Sequence, residues 1–120
     1  MSLNLTPQEL HNLAMNIVGK DLEEKGYEFL AVNSKLKKNP QFVALREKTL
    51  HFILVRATSY PDNPDHYDLA VVTKMKVHAD KFEAKTFYAG VGLGDAQDYG
   101  KPLTQESAYA VVYNGLQEIK

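Results

Sequence analysis

The sequence contains no cysteine and no tryptophan. The missing thiols exclude cysteine nucleophiles, iron–sulfur clusters, Cys-type zinc sites and disulfide staples. No apolar run is long enough to span a bilayer. The opening MSLNLTPQEL lacks a basic segment followed by an apolar stretch, so no signal peptide is expected and the expected location is cytoplasmic. Neither sign of charge dominates. Lys and Arg total 14 against 15 Asp and Glu, a net charge of −1 that gives no global pull toward nucleic acid or an anionic membrane. Ser34, Ser59 and Ser107 have no G-x-S-x-G context, and His11, His51, His66 and His78 show no metal or triad spacing.

What is present fits one domain. The 120 residues are 44% hydrophobic and 24% charged, enough to build a core without metals or disulfides. Thr6-Pro7-Gln8-Glu9 reads as a capping box with proline at the first helical position. Leu10, Leu13, Ala14, Ile17, Val18 and Leu22 follow at helical spacing, and Gly26 is a natural stop. Three strands are expected next, over 27–35, 41–47 and 50–58. The first and third look apolar on both faces, and Glu47-Lys48-Thr49 forms a short hairpin connection. A turn-rich stretch, 59–65, leads to a second helix expected to start at the Asn63 cap and Pro64 and to run to about Glu83.

Residues 85–93 return to strand periodicity, with Phe87, Ala89, Val91 and Leu93 on one face and Tyr88, Gly90, Gly92 and Gly94 on the other. A loop spans 95–104. Residues 108–113 combine strand-like Tyr and Val with a possible helix cap at Thr104 and Ser107; Asn114-Gly115 tips the reading to strand. The expected fold is therefore α+β, a two-layer α-β-β-β-α-β-β plan with a mixed or antiparallel sheet and helices packed on it.

Three segments carry a family likeness: Glu24-Lys25-Gly26-Tyr27, Pro40-Gln41-Phe42-Val43-Ala44-Leu45 and Leu50-His51-Phe52-Ile53-Leu54-Val55-Arg56. In this order they resemble the core of the restriction-endonuclease-like (PD-(D/E)XK) nucleases. That resemblance places the metal aspartate at Val43, the glutamate at Leu54 and the lysine at Arg56. Apolar side chains cannot hold a hard cation, so the resemblance implies a degenerate scaffold. The only literal Glu-x-Lys, Glu83-Ala84-Lys85, lies at the end of the second helix. The full element order also resembles the fold of type III secretion chaperones, which are non-catalytic dimers; that likeness transfers no residues.

Several residues remain as candidates. Asp62, Asp65, His66 and Asp68 form the densest set of metal-ligand types, but they match no EF-hand or zinc spacing and read as a solvated loop and acidic helix start. Gly90, Gly92 and Gly94 alternate along a strand, unlike a phosphate loop, and mark a face that admits close approach. Lys35, Lys37, Lys38, Arg46 and Lys48, with Arg56, make up a possible nucleic-acid surface or ordinary solvated hairpin charge. Arg56 is either a snorkelling or salt-bridged arginine or an anion-binding residue at a pocket. His51 is expected to be structural. Tyr88, Tyr109 and Tyr113 are expected to share an outer face with Gly90 and Gly92 and to contact a partner. The leading expectation is a non-enzymatic interaction or homodimerisation domain that needs no cofactor or metal. The alternatives are a degenerate nucleic-acid-binding scaffold and a divergent metal-dependent nuclease using Asp62, Asp65 or Glu47.

Overall fold

The computed structural model describes residues 3–35 and 38–120. The first helix, α1 (Pro7–Glu24), begins with the expected capping box. The Thr6 hydroxyl accepts from the Glu9 amide at 3.1 Å, and the Glu9 carboxylate accepts from the Thr6 amide at 2.9 Å. It ends in a Schellman motif at Gly26 (φ 84°), where the Tyr27 amide donates to the Leu22 carbonyl and the Gly26 amide to that of Glu23. The buried stripe is Ala14, Met15, Val18 and Leu22, with His11 inside it. Leu10, Leu13 and Ile17 only flank this stripe. A polar residue therefore sits where periodicity alone led us to expect apolar ones.

The strands are β1 (Glu28–Val32), β2 (Phe42–Arg46), β3 (Thr49–Thr58), β4 (Lys85–Asp95), β5 (Tyr109–Tyr113) and β6 (Gln117–Ile119), with α2 (Leu69–Asp80) between β3 and β4. The expected element order stands, the segment at 108–113 is a strand, and β6 is an additional short one. The sheet order is β1-β2-β3-β4-β5, with β6 pairing to β4 beside β5. Only β3 and β4 run parallel, joined by α2; every other pair is antiparallel.

Three expectations are corrected. The helices pack on opposite faces, so the molecule has three layers and not two. α1 covers Ile53, Val55, Ala89, Val91 and Leu93, whereas α2 covers Phe52, Leu54 and Tyr88. Each fully buried Leu or Ile in these layers contributes about 2 kcal/mol by leaving water. The second helix also starts at Asp68 and not Asn63. Asp68 Oδ1 accepts from the Ala70 and Val71 amides, while Asn63 instead closes an Asx turn onto the Asp65 amide. Strand β1 is an edge, not a strand covered on both faces: Leu30 and Val32 are 52% and 57% exposed. The pairing of β1 with β2 skips Leu30, a β-bulge.

His11 is fully buried, and neither ring nitrogen has a hydrogen-bond partner among the described residues. Burial lowers its pKa below the ordinary value of 6.5, and Arg56 lowers it further. His51 shifts the same way, chiefly by burial. Neutral imidazoles are thus the form the folded state prefers. Their contribution is complete above about pH 6.5 and is lost as pH falls through the lowered values, because the unfolded chain takes up protons first. Urea denaturation at a series of pH values should show stability falling below pH 6.5. Replacing the unpaired buried ring, His11→Leu, should flatten that fall and stabilise the neutral protein by about 1 kcal/mol.

Candidate functional site

Two regions have properties that packing alone does not account for: the β5 edge, and a cavity at the carboxyl end of β3. In β5, the sequence Tyr-Ala-Val-Val-Tyr carries no charge and no proline. The Ala96 amide donates to the Ala108 carbonyl, which fixes the alternation of the β4–β5 ladder. By that alternation Ala110 and Val112 bond to β4, while the amide and carbonyl groups of Tyr109, Val111 and Tyr113 point outward. No described strand lies beyond β5. Tyr109, Val111 and Val112 are 47%, 40% and 41% exposed, so apolar side chains flank the open edge on both faces.

The proposed partner face is rearranged by the register. Tyr113 pairs with Val91 and Tyr109 with Asp95, which puts both tyrosines on the α1 side. Tyr88, Gly90 and Gly92 lie on the opposite side and are buried. The close approach expected at the glycines is made by the chain itself. Pro64 crosses Gly90 and Gly92, and Tyr99 lies against Gly92 and Gly94. The Tyr88 hydroxyl donates to the Pro64 carbonyl at 3.1 Å. Tyr113 is also tied down, donating to the Asp21 carboxylate at 2.8 Å. Burial and that carboxylate push its pKa up.

The basic candidates do not form one surface. Lys37 lies outside the described residues. Arg46, stacked over the Tyr27 ring at 5.3 Å, and Lys48 sit at the β2–β3 turn. Lys35, Lys38 and Arg56 lie at the other end of β2, about 17 Å away for a five-residue strand. Lys38 joins Lys74, His78 and Asn39 around a cleft of about 580 Å³ on the flank of α2.

Arg56 is the most informative of the predicted residues. Its guanidinium donates to the Val55 carbonyl (2.8 Å) and the Asn39 side-chain oxygen (2.9 Å), with a longer contact to Gln41 Oε1 (3.5 Å). The two ion pairs among the described residues are both helical, Asp21–Lys25 and Lys76–Asp80, so this half-buried charge is held by neutral groups. Its Nε–H and one Nη2–H have no partner among the described residues. Burial lowers its pKa, while Tyr88 and Asp68 act in the opposite direction. It borders a cavity of about 200 Å³ with Thr58, His66, Tyr67, Asp68 and Tyr88. The parallel β3–α2–β4 unit places that cavity outside the carboxyl end of β3, where open α/β sheets bind ligands.

The acidic loop disperses. Asp65 accepts from Asn114 at 2.7 Å, and Asp68 caps α2. No group of three Asp, Glu or His side chains among the described residues converges as a metal site. At the nuclease-like positions, Val43, Leu54 and Arg56 share the α2 face; Leu54 is buried in the core and Val43 packs against it. His51 is buried in β3. Its Nδ1 contacts the Thr49 carbonyl at 2.8 Å, and its ring lies between Tyr27 and Phe87.

Sequence reasoning missed Gln41 and Thr58. Gln41 is fully buried and joins four groups: it donates to the Lys38 carbonyl and Asn39 Oδ1, and accepts from the Val55 amide and Arg56. Its one sequence signal was a long polar side chain at the head of a buried strand. The Thr58 hydroxyl is buried without a partner among the described residues. Residues 8–119 match a family model described as a domain of unknown function, DUF8840. No curated protein and no solved structure matches the chain.

Proposed function

From its geometry we propose that this chain, which belongs to the DUF8840 family of domains of unknown function, is a non-enzymatic interaction domain whose β5 edge pairs with a second copy of itself. The observation that carries this reading is the contrast between the two sheet edges. β1 carries Glu28 and a bulge at Leu30, devices that keep an edge from pairing. β5 has neither, presents outward-facing amides and carbonyls, and exposes valine and tyrosine beside them. The strand is also self-complementary. Turned about Val111, an antiparallel pair sets Val111 against Val111, Ala110 against Val112 and Tyr109 against Tyr113, with no charge opposed to a like charge.

A five-residue edge makes a small interface, so the dimer should be weak, with a Kd on the order of micromolar or above. Sedimentation velocity over a wide concentration range tests it. The wild type should pass from monomer to dimer, and Val111→Lys should stay monomeric with an unchanged fold, since that side chain is exposed and lysine is a natural edge blocker. A wild type that stays monomeric at the highest concentration overturns the reading, whether or not foreign strands bind.

A degenerate nuclease-like scaffold that holds nucleic acid is the second reading, and one observation favours it. Lys38 and Lys74 face one cleft beside Arg56, on the face that carries the Val43 and Leu54 positions. The separation of Arg46 and Lys48 from that cleft, and the net charge of −1, weigh against it. Titration of labelled DNA at low and high salt separates the two readings.

A further inference from the structure

The cavity beside Arg56 carries an inference independent of the β5 edge. Its lining is chemically bipolar. Arg56 supplies a cation whose held contacts are to neutral oxygens and which keeps two N–H groups unused. Asp68 supplies an anion. Its Oδ1 is engaged at the helix cap, and its Oδ2 has no partner among the described residues. The two charges border one cavity without pairing with each other. Thr58 also borders the cavity, and its hydroxyl oxygen is buried with no partner among the described residues. Apart from His66, the remaining walls are mostly apolar, chiefly Leu54, Val72 and the Tyr67–Tyr88 ring pair, whose centroids are 5.2 Å apart.

We propose that this cavity binds a small zwitterion of the α-amino-acid class with an apolar side chain. The carboxylate meets Arg56, the ammonium meets Asp68, and the side chain lies against Leu54, Val72 and the tyrosine rings. The size agrees. A cavity of about 150 Å³ holds benzene, and about 200 Å³ leaves room for a branched side chain and its polar head. Asp68 is exposed at the rim and Arg56 is half-buried behind it, so a ligand carrying both charges engages both groups, whereas a plain anion or a plain cation engages one.

Isothermal titration calorimetry of the full chain with L-leucine, isocaproate and isoamylamine tests this. Leucine should bind, and removing either charged group should weaken binding at least about tenfold, the scale of one lost charge-assisted hydrogen bond. Asp68→Asn keeps a good helix cap. It should lose leucine affinity by a similar factor and leave isocaproate binding no weaker. Arg56→Gln should lose both. No heat with leucine, valine or phenylalanine overturns the proposal, as does isocaproate binding as tightly as leucine, or leucine binding unaltered in Asp68→Asn. Because Val111 lies on the α1 face, opposite the cavity, and does not line it, Val111→Lys should bind leucine like the wild type, so failure of the dimer and failure of the site are separate results.

Discussion

Gly90→Ala should be among the most damaging single-atom-scale changes in the protein, costing about 3 kcal/mol and lowering the melting temperature by about 10 °C. Gly90 lies in the interior of β4, paired with Arg56, on the face that α2 and the 59–68 segment cover. A β-carbon there would collide with the Pro64 carbonyl and with the Tyr88 ring. The obstacle is backbone, and it is held in place because the Tyr88 hydroxyl donates to that same carbonyl. The segment cannot yield without breaking this bond and moving His66, Tyr67 and Asp68, which wall the cavity. Gly92→Ala makes a useful comparison. Its nearest obstacle is the Tyr99 hydroxyl, the far end of a side chain that can swing away, so its cost should be smaller. Thermal melts followed by circular dichroism rank the two. Equal melting temperatures for Gly90→Ala and the wild type would mean that the 59–68 segment does not lie on β4.

The glycines also show how far the sequence could be read. Period-two alternation in β4 correctly put Tyr88, Gly90, Gly92 and Gly94 on one face, because that alternation is local geometry. What covers that face was not local. It depends on Pro64 and Tyr99, which arrive from segments with no periodicity of their own. The tyrosines failed for a related reason. Tyr109 and Tyr113 share a face with each other, as their spacing requires, but which face is set by the pairing of Val91 with Tyr113. A slip of one residue would reverse it, and nothing in the intervening loop announces the register. Capping signals behaved similarly. Thr6 and Gly26 act within their own turn and were legible, whereas Asn63 and Asp68 are both good caps. Tertiary contact chose between them: Pro64 is held against β4, so the chain must cross the sheet before the helix can begin. The lysines lay close in sequence, but β2 runs between them and separates them.

Gln41→Ala should cost about 3 kcal/mol and should also loosen the cavity, although Gln41 does not line it. The Gln41 side-chain oxygen accepts from the Val55 amide at 2.7 Å, at the end of the buried run 51–55 of β3. Its amide nitrogen holds the Lys38 carbonyl and Asn39 Oδ1, each at 3.0 Å, which closes the β1–β2 connection onto the sheet. Truncation leaves the Val55 amide buried with no acceptor and frees Asn39, the group that fixes one arm of Arg56. Gln41 is therefore a positioning residue, and a purely structural role would predict loss of stability alone. The distinguishing readout is coupling. In a double-mutant cycle with Arg56→Gln, the two changes should be non-additive by about 1 kcal/mol, because they share one hydrogen-bond network. Asn39→Ala should reproduce the loss of leucine affinity with less loss of stability, since it leaves the Val55 amide satisfied. Additive energies in the cycle, with leucine binding intact in Asn39→Ala, would leave Gln41 as a buried strap with no part in holding Arg56.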